Sequence, residues 1–136
     1  MHDSALHHVT LPVTDLERSR RFYADVLGLL EVERPPFTFP GAWFRLGAGQ
    51  LHLIEREDGT LRRDPGLDSR DAHFAVRVPS FEAAVESLRA KGYGEDAEDE
   101  LRMQVSPRPT AGFPQIYILD PDRHVIEINA SRLAEV

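Results

Sequence analysis

The sequence predicts an α+β fold in which two β-α-β-β-β modules follow one another along the chain. Three observations predict it. Alternating apolar and polar residues mark short strands, capping residues and apolar stripes mark two helices, and the same order of elements occurs twice. A polar segment rich in Gly, Pro and Asp, residues 57–71, separates the modules. We expect one domain over residues 1–136, with module 1 at about 5–56, module 2 at about 72–130, and mixed sheets curving around a cleft with the helices outside.

In module 1 a strand from Leu6 to Val13 precedes a helix. Thr14 and Glu17 have the spacing of a capping box, so the helix is predicted to start after Thr14 and to end at about Leu27, with Gly28 as its C-cap. Three strands should follow, at about Leu29–Arg34, Ala42–Leu46 and Gln50–Arg56. A loop with prolines on both sides, residues 35–41, lies between the first two.

Module 2 repeats this order. A strand is predicted at Ala72–Val78, and then a helix with Ser80 as N-cap, running to Lys91, with Gly92 as C-cap. The remaining predicted strands are Met103–Ser106, Gln115–Leu119 and Val125–Asn129. The segment Asp120-Pro121-Asp122 consists of residues that favour a tight turn, and we predict that this turn joins the last two strands.

Composition narrows the class of protein. The chain of 136 residues is long enough for one well-cored domain, and its net charge of −7 argues against nucleic acid or an anionic membrane as the main partner. There is no cysteine, which excludes disulfides, thiolate metal sites and a cysteine nucleophile. Because we find neither a signal-peptide pattern nor an apolar run long enough for a bilayer, we expect a cytoplasmic protein.

Glu127 is the most unusual residue of the predicted strands, since it lies between Ile126 and Ile128. A carboxylate held against an apolar sheet is unfavourable unless it is paired or coordinates a metal. Three histidines also lie in apolar strand-like runs: His8, His52 and His73. His8 and His73 belong to the first strand of their modules, and His52 and Glu127 to the last.

These four residues are predicted to share the sheet face opposite the helices, because alternate strand residues face opposite sides. Three imidazoles and one carboxylate suit Zn²⁺, Ni²⁺, Co²⁺, Mn²⁺ or Fe²⁺. Taken singly, each histidine could be an ordinary core or surface residue. Glu127 alone could be the ion-pair partner of Arg45 or Arg77. The matching positions in two modules favour a metal site. The predicted substrate pocket consists of Arg45, Arg77, Trp43, Phe113 and Tyr117.

In these stretches the chain resembles the vicinal oxygen chelate superfamily, which includes glyoxalase I, bleomycin-resistance proteins, fosfomycin-resistance thiol transferases and extradiol dioxygenases. The resemblance is carried by Leu6–Leu16, Phe22–Leu29, Leu51–Glu55, His73–Val76, Asp120–Asp122 and Ile126–Ile128. It implies a metal between the modules, bound by His8, His52, His73 and Glu127. The chain departs from the family at two positions. His52 stands where glyoxalase I usually has an acid or amide, and Arg123 where the turn usually has glycine.

The resemblance implies a divalent-metal-dependent, glyoxalase-like lyase or isomerase that acts on a small oxygenated substrate chelated by the metal, with Glu127 as both ligand and proton shuttle. Two alternatives remain open: an extradiol-type non-haem iron dioxygenase, and a metal-free drug-binding protein like the bleomycin-resistance proteins. A third, fosfomycin modification, ranks below them because the sequence shows no clear phosphonate-binding cluster. A homodimer is implied as well. Whether the metal site forms within one chain or across two is left open.

Overall fold

The computed structural model describes residues 1–58 and 66–135. The chain divides into two units, residues 1–61 and 62–136, and each contains a four-stranded mixed sheet. This confirms the predicted α+β fold of tandem modules. Part of the predicted linker, residues 59–65, lies outside the described residues. No helix in the described part of the chain is long and apolar enough to cross a membrane.

The elements of the first unit are β1 (His8–Val13), α1 (Leu16–Arg21), β2 (Glu31–Val32), β3 (Gly41–Leu46) and β4 (Gly49–Glu55). Those of the second unit are β5 (His73–Arg77), α2 (Phe81–Ala90), β6 (Gln104–Ser106), β7 (Gln115–Leu119) and β8 (Val125–Asn129). A short 3₁₀ helix, Asp99–Leu101, precedes β6. The strand orders are β1-β4-β3-β2 and β5-β8-β7-β6. In both sheets the first and last strands of the unit pair in parallel, and the other pairs are antiparallel.

Helix α1 begins one residue later than the sequence predicts. Asp15, and not Thr14, is the N-cap, because its Oδ1 accepts a hydrogen bond from the backbone N–H of Arg18 at 3.1 Å. Glu17 does not reach back to the cap. It instead forms an ion pair with Arg20, one turn along the helix, at 2.6 Å. The capping-box prediction was therefore wrong, although a helix follows as expected.

The end of this helix is wider than an ordinary α-helix. Phe22–Val26 forms a π-helical turn, in which the N–H of Leu27 donates to the Phe22 carbonyl oxygen at 3.2 Å. Gly28 follows with φ +68°, as expected for a glycine that ends a helix. The strand predicted at Leu29–Arg34 is reduced to Glu31–Val32.

Helix α2 agrees with the sequence. Ser80 is the N-cap and accepts a hydrogen bond from the N–H of Ala83 at 3.1 Å. The helix ends at Ala90, and Gly92 has φ +95°. Phe81 and Leu88 are buried, and such side chains each contribute about 1.5–3 kcal/mol to folding.

One face of each sheet forms the core of its unit. The fully buried large side chains of the first unit are Val13, Tyr23, Phe44, Leu51 and Leu53, and those of the second include Leu88, Met103, Ile116, Ile118 and Ile126. Because strand residues alternate in direction, the opposite face of each sheet carries the candidate ligands.

The turn between β7 and β8 is built on Asp120. Its Oδ1 accepts hydrogen bonds from the N–H groups of Asp122 at 2.9 Å and His124 at 2.8 Å. Arg123 has φ +68°, a conformation that costs a residue other than glycine roughly 1 kcal/mol. The Arg123 guanidinium contacts both carboxylate oxygens of Asp99, at 2.8 and 3.0 Å.

Candidate functional site

The predicted ligands occupy equivalent positions in the two sheets. In the first unit Thr10 pairs with His52 across β1 and β4, and His8 lies two residues before Thr10. In the second unit Ala75 pairs with Glu127 across β5 and β8, and His73 lies two residues before Ala75. Strand residues two apart share a face, so each sheet brings two candidate ligands together on neighbouring strands.

The pair of the first unit is a stack of two imidazoles. The rings of His8 and His52 lie 4.3 Å apart with 16° between their planes, and Trp43 stacks on the other face of His52 at 3.9 Å and 3°. His52 is 8% exposed, and its Nε2 donates to Gln50 Oε1 at 2.8 Å. Burial, and then the neighbouring His8, lower the pKa of His52. The neutral imidazole that results is the form that binds a metal.

His8 is exposed, and its Nδ1 lies 2.9 Å from Nδ1 of His7. One of these two nitrogens must donate and the other accept, so this contact occupies Nδ1 of His8 and leaves Nε2 for another partner.

The pair of the second unit joins an imidazole to a buried carboxylate. Glu127 is 5% exposed, and its Oε1 lies 3.2 Å from His73 Nε2. The Tyr117 hydroxyl donates to Oε1 at 2.9 Å, and Asn129 Nδ2 donates to Oε2 at 2.5 Å. Burial, and then the hydrogen bond to Glu127, raise the pKa of Tyr117 to about 12, so this hydroxyl stays protonated at neutral pH.

His73 lies between two acceptors. Its Nδ1 donates to the backbone carbonyl oxygen of Asp71 at 2.7 Å, which holds the ring and directs Nε2 to Glu127. Histidines that bind metals usually donate their second ring N–H to a carbonyl or carboxylate in this way. A cation placed between the Nε2 lone pair and Glu127 would satisfy both groups.

Arg77 and Asn129 form a chain of hydrogen bonds that ends at Glu127. Arg77 Nε donates to Asn129 Oδ1 at 2.5 Å, and the Arg77 guanidinium lies 5.1 Å over the ring of Phe113. Because a guanidinium only donates, it orients the Asn129 amide so that the NH₂ group faces Glu127. The alternative that pairs Glu127 with Arg77 is therefore corrected, since Arg77 reaches the carboxylate through Asn129. The sequence interpretation missed Asn129, although it is two residues from Glu127 on the same face of β8.

The predicted pocket residues are divided between the two units. Arg45 of β3 pairs with Gln50 on the face that carries His52, and its side chain is exposed. Trp43 pairs with His52 across β3 and β4, as Tyr117 pairs with Glu127 across β7 and β8. An aromatic residue thus contacts a candidate ligand at the same position of each sheet.

The donor chemistry fits a divalent transition metal or zinc. The described residues contain no group of three or more His, Cys, Asp or Glu side chains that could hold a metal, and each unit brings two of the predicted ligands together. Imidazole nitrogens and a carboxylate suit such ions, and both His73 and Glu127 have the supporting hydrogen bonds that orient ligands.

A groove of about 470 Å³ in the second unit lies elsewhere, between α2 and β6. Its lining includes Phe81, Val85 and Val105. Val105 pairs with Ile116, which is on the core face of the sheet, so this groove is not part of the Glu127 face.

Comparisons with known proteins agree with the fold. The family model of the Glyoxalase/Bleomycin resistance protein/Dioxygenase superfamily matches residues 5–128. Glyoxylase I 4 of Arabidopsis thaliana is 29% identical over 132 residues, covering 94% of this chain and 71% of that protein. Glutathione transferase FosA of Serratia marcescens is 28% identical over 132 residues, covering 96% and 83%. Among solved structures, a variant of the fosfomycin resistance protein FosX from Listeria monocytogenes, in complex with Mn(II) and 1S,2S-dihydroxypropylphosphonic acid, has a TM-score of 0.67 at 22% identity, covering 96% of this chain and 94% of that one.

Proposed function

Because the chain belongs to the Glyoxalase/Bleomycin resistance protein/Dioxygenase superfamily, we propose that it is a divalent-metal-dependent, glyoxalase-like enzyme. It would act as a lyase or isomerase on a small substrate with neighbouring oxygen atoms. One observation carries the proposal: each sheet holds two candidate ligands at the same register positions, with an aromatic residue opposite the second. A structural core alone gives no reason for this repetition of polar residues on both sheets.

The proposed ligands are His8, His52, His73 and Glu127, which would bind one ion as two pairs, one from each unit. In this proposal the two modules act as one functional domain, and the pairs come from one chain or from two copies of it. Zn²⁺, Ni²⁺, Co²⁺, Mn²⁺ and Fe²⁺ all accept such donors. The Mn(II) bound to the FosX variant supports a divalent ion on this fold.

A bound metal would act as a Lewis acid toward the oxygen atoms of the substrate. Glu127 would take and return the proton that moves during the reaction. Asn129 holds Oε2 of this carboxylate and Tyr117 holds Oε1. The Tyr117 hydroxyl donates to this carboxylate, so in the proposal Tyr117 orients Glu127 and Glu127 carries the proton.

Metal content tests the proposal directly. Untagged protein purified without chelators would be compared, by elemental analysis, with the double variant His8→Ala/Glu127→Ala. A matched control, His2→Ala/Glu86→Ala, removes the same two side-chain types at exposed positions. We expect nearly one ion per chain in the parent and the control, and at least about tenfold less in the double variant. If no protein binds metal after each divalent ion has been added, the proposal is wrong and a metal-free binding protein replaces it.

A mixing experiment shows which chains supply the ligands. His8→Ala and Glu127→Ala chains would be unfolded together, refolded and assayed for metal. If each site uses two copies of the chain, mixed dimers regain one intact site, or about a quarter of the parental content. If each site lies within one chain, the mixture binds no more metal than the separate variants.

A second candidate function is addition of glutathione to a phosphonate epoxide, favoured by the similarity to the glutathione transferase FosA over 96% of this chain. The metal-loaded protein would be assayed with methylglyoxal plus glutathione, and separately with fosfomycin plus glutathione. Turnover in the assay with fosfomycin plus glutathione, and none in the other assay, would select the second candidate. Iron as the bound metal, with oxygen consumption on a catechol, would instead select the dioxygenase alternative.

A further inference from the structure

Two phenylalanine rings are exposed on the proline-flanked loop before β3. Phe37 is 47% exposed and Phe39 is 42% exposed, although the nearby Phe44 is fully buried. The two exposed rings stack on each other with centroids 5.1 Å apart and 26° between their planes. They therefore offer π surface to solvent in an ordered arrangement.

A guanidinium is held against the same two rings. The Arg34 carbon Cζ lies 4.8 Å from the Phe37 ring centre and 5.0 Å from that of Phe39. A terminal N–H of Arg34 donates to the Phe39 carbonyl oxygen at 3.0 Å. Gly41 permits this approach, because a Cβ atom there would clash with the Leu53 carbonyl oxygen and lie 2.8 Å from an Arg34 nitrogen. We call Arg34, Phe37 and Phe39 the aryl surface.

The loop that carries the aryl surface is held in place before any ligand arrives. Pro35, Pro36 and Pro40 fix their own φ angles. The N–H of Phe37 donates to the Pro35 carbonyl oxygen at 2.8 Å, and the N–H of Glu55 in β4 donates to that of Pro40 at 3.0 Å. A ligand that binds here therefore loses little free energy to ordering the loop.

The aryl surface is continuous with the candidate ligands of the first unit. The Phe37 ring lies 6.2 Å from that of Trp43, Trp43 stacks on His52, and His52 stacks on His8. A molecule held at His8 and His52 would therefore extend along aromatic rings toward Arg34.

We propose that the aryl surface is a binding subsite for a planar aromatic group that carries a negative charge, such as an aryl carboxylate. The Phe37 and Phe39 rings would stack on or meet the edge of the ligand ring, and Arg34 would bind its anionic group. The assignment of this ligand as part of the enzyme's substrate rests on the proposed function. It narrows the substrate class to aromatic acids with neighbouring oxygen atoms.

Benzoate is the probe, and it is used with full-length protein that has been freed of metal with EDTA. Binding would be measured by calorimetry and by ligand-observed NMR. Cyclohexanecarboxylate has the same charge without the aromatic ring, and benzamide has the ring without the charge. We expect a Kd for benzoate of about 1 mM, and binding at least about tenfold weaker for both comparators.

Two variants remove the two parts of the aryl surface separately. Phe37→Leu/Phe39→Leu keeps apolar side chains and should weaken benzoate binding by about tenfold or more. Arg34→Gln should remove the preference for benzoate over benzamide. Leu30→Ala and Arg89→Gln, at exposed positions elsewhere, should bind benzoate as the parent does. Circular dichroism would confirm that each variant is folded.

Equal benzoate binding by all variants, or none by the parent, would overturn the subsite. It would also be overturned if the parent were a dimer and Phe37→Leu/Phe39→Leu a monomer, because the rings would then contact a second copy of the chain. The metal assay is independent of this test. Benzoate binding by a protein that takes up no metal would leave the subsite standing while the proposed function failed, and the reverse result would remove the subsite alone.

Discussion

Replacement of Tyr117 by phenylalanine tests the description of the Glu127 site with the loss of one oxygen atom. Tyr117 and Glu127 are each 5% exposed, and the hydroxyl donates to the carboxylate at 2.9 Å. A hydrogen bond to a charged group contributes about 1.5–3 kcal/mol. We expect the free energy of unfolding of metal-free Tyr117→Phe to be lower by this amount near neutral pH, and its Tm to be lower by roughly 5–10 °C.

The stability of the protein at alkaline pH gives a second test of the Tyr117 hydroxyl. Burial, followed by the hydrogen bond and charge of Glu127, raises the pKa of Tyr117 from 10.0 to about 12. Above pH 10 the unfolded chain releases the proton that the folded protein retains. The stabilisation is therefore complete below pH 10 and is lost as pH rises toward 12, by about 3 kcal/mol in all.

Urea unfolding at several values between about pH 8 and pH 11, followed by the fluorescence of the single tryptophan, Trp43, would compare the two proteins. The difference in the free energy of unfolding between the parent and Tyr117→Phe should be largest at pH 8 and should decrease above pH 10. Tyr93→Phe is the control, because its hydroxyl is not bonded to Glu127. Burial also raises the pKa of Tyr93, so this variant should lose the alkaline effect of Tyr93 and retain the one that comes from Tyr117. The stabilising role of the Tyr117 hydroxyl would be refuted if parent and Tyr117→Phe were equally stable at pH 8. It would also be refuted if their difference in the free energy of unfolding stayed constant up to pH 11.

Three further predictions follow from other contacts. Asn129→Leu removes the donor to Oε2 of Glu127 and should weaken metal binding by about 10–100-fold in a competition titration with a chelator; unchanged affinity would show that Asn129 does not orient the ligand. Because the pKa of His52 is lowered in the folded state, its stabilising effect is present above about pH 6.5 and is lost as pH falls below it, so the free energy of unfolding of metal-free protein should decrease with acidification more steeply in the parent than in His52→Gln. Arg123→Gly should raise the free energy of unfolding by about 1 kcal/mol when measured in an Asp99→Ala background, where the ion pair is already absent; no gain there would mean that φ +68° is not strained.

The strands and their faces could be read from the sequence because alternation is a local property. Gln115–Leu119 and Val125–Asn129 match the observed strands residue for residue. The same alternation placed Glu127 and His52 on the correct faces. Glycine also predicted both helix ends, because its tolerance of positive φ depends on no other part of the chain.

The start of α1 could not be read in this way. Thr14 and Asp15 are both good caps, so local chemistry does not choose between them. In the structure the N–H of Leu16 donates to the carboxylate of Glu55 at 2.9 Å, which comes from a strand 39 residues later in the chain. A contact of this range is determined by the fold and is absent from any local pattern.

The candidate site was predictable in its residue types and less so in its connections. The faces of His73 and Glu127 follow from strand alternation, but their contact depends on the register of β5 against β8. The chain of hydrogen bonds from Arg77 through Asn129 to Glu127 depends in addition on side-chain torsions, which no spacing encodes. Binding of one ion by all four ligands stays a prediction.

The equivalence of the two sheets has a consequence for how such a site can change over evolution or in the laboratory. His52 and Glu127 occupy equivalent register positions in the two sheets, with Trp43 and Tyr117 as their cross-strand neighbours. We therefore expect that the donor residue of one sheet can be exchanged independently of the donor residue of the other. In the proposed metal site, substitution of His52 by glutamate would give each sheet one nitrogen and one oxygen donor, and would shift the preference toward metals that favour oxygen ligands.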